Sequence, residues 1–321
     1  MDNPQSPNND TAWERKVLEK LAFAALDEQR ARRRWGILFK TLGFVYLLVV
    51  LIAVVDWGSG AEHQVRHTAM VNLNGVIEAK GEASAENLVT ALNAAFEEKN
   101  VAGVILRINS PGGSPVQAGI VNDEIRRLRG KYPDKPLYAV VEDMCASGGY
   151  YVAAAADNIY VNKASIVGSI GVLMDGFGFT GTMDKAGVER RLLTAGENKG
   201  FLDPFSPQAP QHKAHAQLLL DDIHKQFIDV VKTGRGKRLK ETPEMFSGLM
   251  WTGAQSIQLG LADDYGSVDS VARDVIKAEK VLDYSVQDNI AERFAKRLGA
   301  STFAGFWKGF SENALGSIRL H

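Results

Sequence analysis

Residues 35–57 read WGILFKTLGFVYLLVVLIAVVDW, and no other stretch restricts the chain so strongly. A helix of about 20 apolar residues, rising 1.5 Å each, spans the ~30 Å of hydrocarbon in a bilayer. Trp35 and Trp57 stand where interfacial aromatics are expected. Lys40 is the one charge within the run ahead of Asp56, close enough to the end to snorkel. Arg30, Arg32, Arg33 and Arg34 precede the run, whereas Asp56 and Glu62 come before the next cation, Arg66. The positive-inside rule then places residues 1–34 in the cytoplasm and the rest of the chain across the membrane. A cleaved signal peptide is the competing reading, with Ser59-Gly60-Ala61 as the cut. It calls for a short basic leader, and here 34 residues come first. A buried core helix is disfavoured because no polar stripe interrupts Gly43 to Val55. Beside a membrane span, the arginine cluster is better read as orientation and lipid contact than as a nucleic-acid patch.

The 321 residues allow one large domain or two small ones. The net charge of −1 gives no whole-chain field that points to nucleic acid or an acidic substrate. Cys145 is the one cysteine, so an intrachain disulfide is excluded. The expected organisation is an N-terminal segment over 1–34, an anchor over 35–57, a linker over 58–67, a catalytic domain over 68–278 and a tail over 279–321. Residues 1–10 are polar and read as disordered. Residues 11–34 carry an apolar repeat (Trp13, Val17, Leu18, Leu21) that predicts a helix leading into the span. In the tail, Phe294, Phe303, Phe306, Trp307 and Phe310 are scattered without a period, fitting a helical appendage or a mobile end.

From Thr68 the pattern is that of an α/β domain. Strands are expected at 69–73, 101–109, 137–142, 158–161 and 188–194. Helices are expected at 85–99, 116–129, 150–156 and 212–231. This alternation implies parallel strands joined by crossover helices.

Two predicted strands end in small-residue loops, Asn109-Ser110-Pro111-Gly112-Gly113-Ser114 and Asp143-Met144-Cys145-Ala146-Ser147-Gly148-Gly149. Sites in parallel sheets form beyond the carboxyl ends of strands. A hydroxyl at Ser147, flanked by the uncovered N–H groups of such loops, is what acyl transfer needs, since those donors stabilise a tetrahedral oxyanion. For either turn alone, tight turning and close helix packing explain the glycines equally well. A serine nucleophile needs a base. The histidines are poorly placed: His63 and His67 in the linker, His212, His215 and His224 on a polar helix, and His321 at the end. His212 and His215 are spaced for a metal, but a solvated helix face is the simpler account. Lysine serves as a base when burial lowers its pKa. Lys199, in Ala195-Gly196-Glu197-Asn198-Lys199-Gly200-Phe201, is by spacing one lysine among many.

Other motifs are discounted. Gly176-Phe177-Gly178-Phe179-Thr180-Gly181 fits GxGxxG, but the strand expected near Val188 leaves no room for the helix a dinucleotide site requires. No GK[ST] follows Gly112-Gly113, so that turn is not a phosphate loop. The basic run 232–240 (KTGRGKRLK) reads as a solvated loop. Cys145 reads as a small packed side chain rather than a nucleophile.

Four segments in order, ILRINSPGGSPVQAG (105–119), ASGGYYVAAAAD (146–157), VGSIGV (167–172) and TAGENKGFLDPFSP (194–207), resemble the signal peptide peptidases of family S49, the bacterial SppA type. The resemblance runs from about Thr68 to Ser270. It implies a ClpP/crotonase-like superhelix of repeated ββα units and a Ser–Lys dyad, with Ser147 as nucleophile and Lys199 as general base. It further implies an oxyanion hole from the N–H groups of Gly113 and Gly148, with Ser169 orienting the lysine. No metal or other cofactor is implied. The implied partners are signal peptides and other apolar peptides, the lipid bilayer, and further copies of the chain in a homo-oligomeric ring, an octamer with the dyad shared between subunits. The implied location is a bacterial inner membrane, single-pass, with the catalytic domain periplasmic or extracytoplasmic. Two other functions remain open: crotonase-type acyl-CoA chemistry, and an inactive ring-forming membrane scaffold.

Overall fold

In the computed structural model, which describes residues 10–60 and 65–286, the apolar run lies inside one helix, α1 (Asp10–Gly60). The predicted helix over 11–34 and the predicted span are thus one continuous element, and helix replaces the start of the expected linker. Trp35, Phe39, Leu42, Phe44 and Leu47 are all more than half exposed on it. The side chains of 50–57 lie outside those described, and among the described residues no helix is long and apolar enough to cross a membrane. The expectations for 1–9 and for the tail aromatics also fall outside the described residues. The chain divides into two units, Met1–Val65 and Arg66–His321.

The second unit begins β1 (His67–Ile77), α2 (Ala85–Glu97), β2 (Val101–Gly113), α3 (Pro115–Lys131), β3 (Leu137–Ala146) and α4 (Gly148–Ala153). Local chemistry sets these boundaries. The Ser84 hydroxyl accepts from the Asn87 N–H to start α2, whose buried face is Leu88, Ala91, Leu92, Ala95 and Phe96, the i, i+3, i+4 stripe of an amphipathic helix. Ser114 caps α3 in the same way, with Pro115 in the first turn, where its missing N–H costs nothing. The short strands β4 (Asn158–Val161) and β5 (Ile166–Gly168) follow, then α5 (Thr180–Ala186) and the long α6 (Pro210–Arg235). The unit closes with β6 (Met250–Thr252), α7 (Gly253–Gln258), β7 (Asp264–Tyr265), α8 (Val268–Ser270) running into a π-helical turn, Val271–Ile276, and β8 (Val281–Asp283).

The sheet runs β6-β5-β3-β2-β1-β8, with β4 on the early half of β3 and β7 on β4. Every pairing is parallel except β5 with β6. Both faces are covered. Leu106 and Ile108 belong to the cluster that includes buried residues of α2, α3 and α4, and Ile105 packs with Val271, Ala272 and Ile276 on the other side. Such two-sided burial is why β2 reads as a continuous apolar run rather than an alternation. The mixed α/β unit with its parallel sheet is consistent with the ClpP/crotonase-like fold.

Several expectations need correction. β1 and β2 run past their predicted ends, because pairing resumes after register shifts at Asn74/Val76 and Ile108/Ser110 and continues to Ile77↔Gly113. Pro111 sits just beyond the second shift, where a missing ladder donor is tolerated. Residues 188–194 form no strand: Val188 is 54% and Leu193 96% exposed, and β6 takes the place beside β5. The GxGxxG run has no dinucleotide context, since only the seven-residue α5 begins there. His67 is not a linker residue but the fully buried start of β1, its Nε2 2.8 Å from the Tyr284 hydroxyl. The tail contributes β8 to the sheet, which extends the folded unit past 278.

Candidate active site

Ser147 lies between β3 and α4, with φ 51° and ψ −122°. Few non-glycine residues hold this conformation, and it is held here by its surroundings. The Ser147 N–H donates to the Gly168 carbonyl at 2.8 Å, and its own carbonyl accepts from the Tyr151 N–H at 3.0 Å. Its side chain makes no capping bond to α4, so the hydroxyl is not committed to the helix end.

The other sharp turn is brought against it. Gly112 has φ 99° and Gly113 φ 150°. A Cβ on Gly112 would fall 2.6 Å from the Gly148 nitrogen and 2.7 Å from the Ser147 Cβ, and one on Gly113 would strike the Ile77 carbonyl oxygen. A Cβ on Gly148 would lie 3.2 Å from the Gly113 nitrogen. Glycine at these positions is therefore a packing requirement, and it sets the two nitrogens close together. Ser169 also has a positive φ, 52°, and its N–H donates to the Leu249 carbonyl at 2.8 Å. Beside it the His224 imidazole Nε2 lies 3.2 Å from the Ile170 carbonyl, tying this turn to α6.

Gly113, Ser147, Gly148 and Ser169 line one cavity of about 590 Å3. Tyr151 and Phe227, tilted together with ring centres 5.1 Å apart, line it as well, as does Ile223. The sequence reading missed Tyr151, Ile223 and Phe227. The i, i+4 spacing of Ile223 and Phe227 on a predicted helix was visible, but not which helix would face the serine. Four of the five expected site residues thus meet in one cavity.

Lys199 does not line it. It is exposed, in a turn closed by its own N–H to the Gly196 carbonyl at 3.1 Å. The turn is tied to α6 by Asn198 Oδ1, 3.2 Å from His212 Nε2, and by the Phe201 ring against His212 and His215. These two histidines are thus ring partners of Phe201, and among the described residues no group of three or more side chains is placed to hold a metal. Cys145 is fully buried, and burial pushes its thiol pKa far up, as expected of a packed side chain.

A serine at a strained strand-to-helix turn, sharing a cavity with two closely packed glycines, has the make-up of a hydrolase-like site of the acyl-transfer type. Comparison with known sequences agrees. Residues 130–282 match the family described as Peptidase family S49. The chain is 29% identical over 224 residues to the "Putative signal peptide peptidase SppA" of Enterococcus faecium, covering 67% of this chain and 64% of that one. It is 32% identical over 235 residues to "Protease 4" of Haemophilus influenzae, covering 70% and 37%. It is 43% identical over 209 residues to "Na(+)/H(+) antiporter NhaA" of Brucella melitensis, covering 64% of this chain and 28% of that protein. The chain thus spans little more than a quarter of that relative, and the antiporter name carries no activity across. The likeness to peptidase family S49 thus covers residues 130–282, and similarity to proteins named as peptidases extends over about two thirds of the chain.

Proposed function

We propose that this chain is a membrane-anchored, ATP-independent serine endopeptidase with a Ser–Lys dyad, degrading signal-peptide remnants and other short apolar peptides. The observation that carries the reading is the cavity in which Ser147 meets Gly113 and Gly148. Ser147 Oγ attacks the scissile carbonyl while a neutral Lys199 amine takes its proton. The N–H groups of Gly113 and Gly148 stabilise the oxyanion. The ammonium then protonates the leaving amine, and water repeats the sequence on the acyl-enzyme. Ser169, on the rim of the same cavity, orients the lysine.

The base comes from a neighbouring subunit. Lys199 is exposed and outside the cavity of its own chain, on a segment that also exposes Leu173, Phe177 and Leu193. Apolar surface of this kind favours assembly. A homo-oligomeric ring, an octamer, places each lysine over the next serine. The apolar run at 35–57 anchors the ring in a bacterial inner membrane with the catalytic domain outside the cytoplasm, where apolar peptide remnants are released.

The test uses the full chain in detergent micelles with a fluorogenic apolar peptide. Wild type cleaves; Ser147→Ala and Lys199→Ala each lose activity by more than about a thousandfold, as expected for members of a nucleophile–base unit. A mixture of the two dead variants regains part of the activity. Full activity in Lys199→Ala excludes lysine as the base. A wild type that cleaves no peptide moves the scaffold and acyl-CoA readings ahead.

A further inference from the structure

We propose that Ser110 is the positioning residue of the oxyanion loop: its hydroxyl ties the end of β1 to Gly112 and so fixes the direction in which the Gly113 N–H points. The inference rests on the peptidase reading of the same site. Ser110 is fully buried, and its hydroxyl donates to the Gly75 carbonyl at 2.6 Å while accepting from the Gly112 N–H at 3.1 Å. A serine hydroxyl has one proton to give and lone pairs to receive, and both capacities are used here.

The three glycines around it explain why such a tie is needed. Gly75, Gly112 and Gly113 have φ of 80°, 99° and 150°. Each of these conformations is open to glycine and disfavoured for other residues, but glycine holds none of them by preference. Left to themselves, two consecutive glycines sample many peptide orientations, and an oxyanion donor is effective only when fixed before the charge develops. Ser110 binds the first N–H of this glycine pair and a carbonyl of the neighbouring strand β1. It is also boxed from the nucleophile's side. It pairs in register with Cys145, and a Cβ on Gly149 would lie 3.2 Å from the Ser110 carbonyl oxygen and 3.4 Å from its Cβ. The residue therefore stands where the end of β1, the oxyanion glycines and the start of α4 converge, without lining the cavity itself. Removing the hydroxyl leaves the Gly112 N–H without this partner inside the protein and lets the following peptide turn.

The experiment compares full-length wild type with Ser110→Ala and Ser110→Cys in micelles. Cysteine fills nearly the same space but is a weak donor and acceptor, so it separates packing from hydrogen bonding. Three quantities are read: kcat and KM on the fluorogenic peptide, affinity for a peptide aldehyde, and affinity for an uncleavable peptide of the same sequence. With the aldehyde, Ser147 Oγ bonds to the carbonyl carbon and its proton passes to the base. The carbonyl π pair becomes an oxyanion in the hole, so this affinity reports the donors directly. In both variants kcat and aldehyde affinity fall about 10- to 100-fold, less than the roughly 10²–10³ that losing a donor outright costs. KM and affinity for the uncleavable peptide stay within about twofold of wild type, since these do not use the developing charge. A merely structural serine predicts a lower melting temperature in Ser110→Ala and wild-type kinetics in Ser110→Cys, and that result overturns the proposal. A wild type that neither cleaves the peptide nor binds the aldehyde overturns the peptidase reading first, and this inference with it.

Discussion

At the scale of single residues, the site combines backbone strain with close approach. Ser147 holds a φ of 51° without being glycine, at a cost on the order of 1–3 kcal/mol. Replacing it by glycine removes that cost and adds about 0.5–1 kcal/mol of chain entropy. Ser147→Gly should therefore melt above Ser147→Ala, which keeps the strain, although neither should cleave peptide. Equal melting temperatures in calorimetry would show that the turn is not strained. A second substitution tests the close approach. Gly113→Ala has no room, because its Cβ meets Ile77 backbone atoms, so the loop must move and activity should drop at least as far as loss of one oxyanion donor, about 10²–10³. Full activity in that variant would dissociate Gly113 from catalysis. Part of this was legible in the sequence: two strand ends followed by Ser-Pro-Gly-Gly and Ala-Ser-Gly-Gly suit backbone donors exposed beside a hydroxyl, although tight turning explains either one alone equally well. The φ of Ser147 and the bond from Ser110 to Gly75 were not legible, because the first depends on how the end of β3 meets β5 and the second on the register of β1 against β2.

At the scale of elements, α6 is the piece whose placement shapes the cavity, through Ile223 and Phe227. Its far end is fixed by Arg235, whose side chain is 1% exposed and paired bidentately with Asp263 at 2.8 and 2.9 Å. Burial pushes the Asp263 carboxyl up, but hydrogen bonding and charge from Arg235, with the Ile159 N–H and Arg238, outweigh it and hold the pKa below its ordinary 3.8. A depressed folded-state pKa contributes stability that is complete above the unfolded value and is lost as pH falls through the folded one. Asp263→Asn leaves a buried guanidinium without its counter-charge, a loss of about 3–5 kcal/mol near neutrality, or a melting shift on the order of 10 °C. The gap between wild type and Asp263→Asn should be constant above the ordinary carboxylate range and narrow as pH falls below about 4. Thermal melts across pH check this, and a gap that widens in acid would contradict the assignment. The sequence announced α6 as a helix over 212–231 but gave no sign of this pair, because Arg235 sits in a run of basic residues that reads as solvated surface. The failed strand at 188–194 errs the other way. Val188, Leu192 and Leu193 suit a strand, but the position beside β5 belongs to β6, some sixty residues further on. No local pattern could reveal that.

At the scale of the whole molecule, the segment between β5 and α6 is well tied together yet exposes its apolar side chains. The Phe179 N–H donates to the Pro204 carbonyl at 2.7 Å, the Phe179 ring stacks on Phe205 at 5.4 Å, and Arg190 pairs with Asp203 at 3.3 Å. Leu173 (80%), Phe177 (79%) and Leu193 (96%) nonetheless remain open. A segment with internal order and an uncovered apolar surface fits an interface between copies better than a solvated loop. The same segment carries Lys199, so assembly and catalysis should fail together. Leu193→Asp tests this cleanly. At 96% exposure its side chain contributes almost nothing to the fold of one chain, so the melting temperature of an isolated subunit should be unchanged. In an assembly that covers the segment, the same carboxylate would be buried unpaired in apolar contact, a cost of several kcal/mol. The variant should therefore run as a small species in sedimentation while wild type runs as a ring, and its peptidase activity should fall by more than about a hundredfold at equal concentration, following the 1.4 kcal/mol per decade of an association equilibrium. Wild-type activity should itself fall more steeply than protein concentration on dilution. A fully active monomer of Leu193→Asp would place the base within the same chain as Ser147, and the exposed segment would then need a different partner.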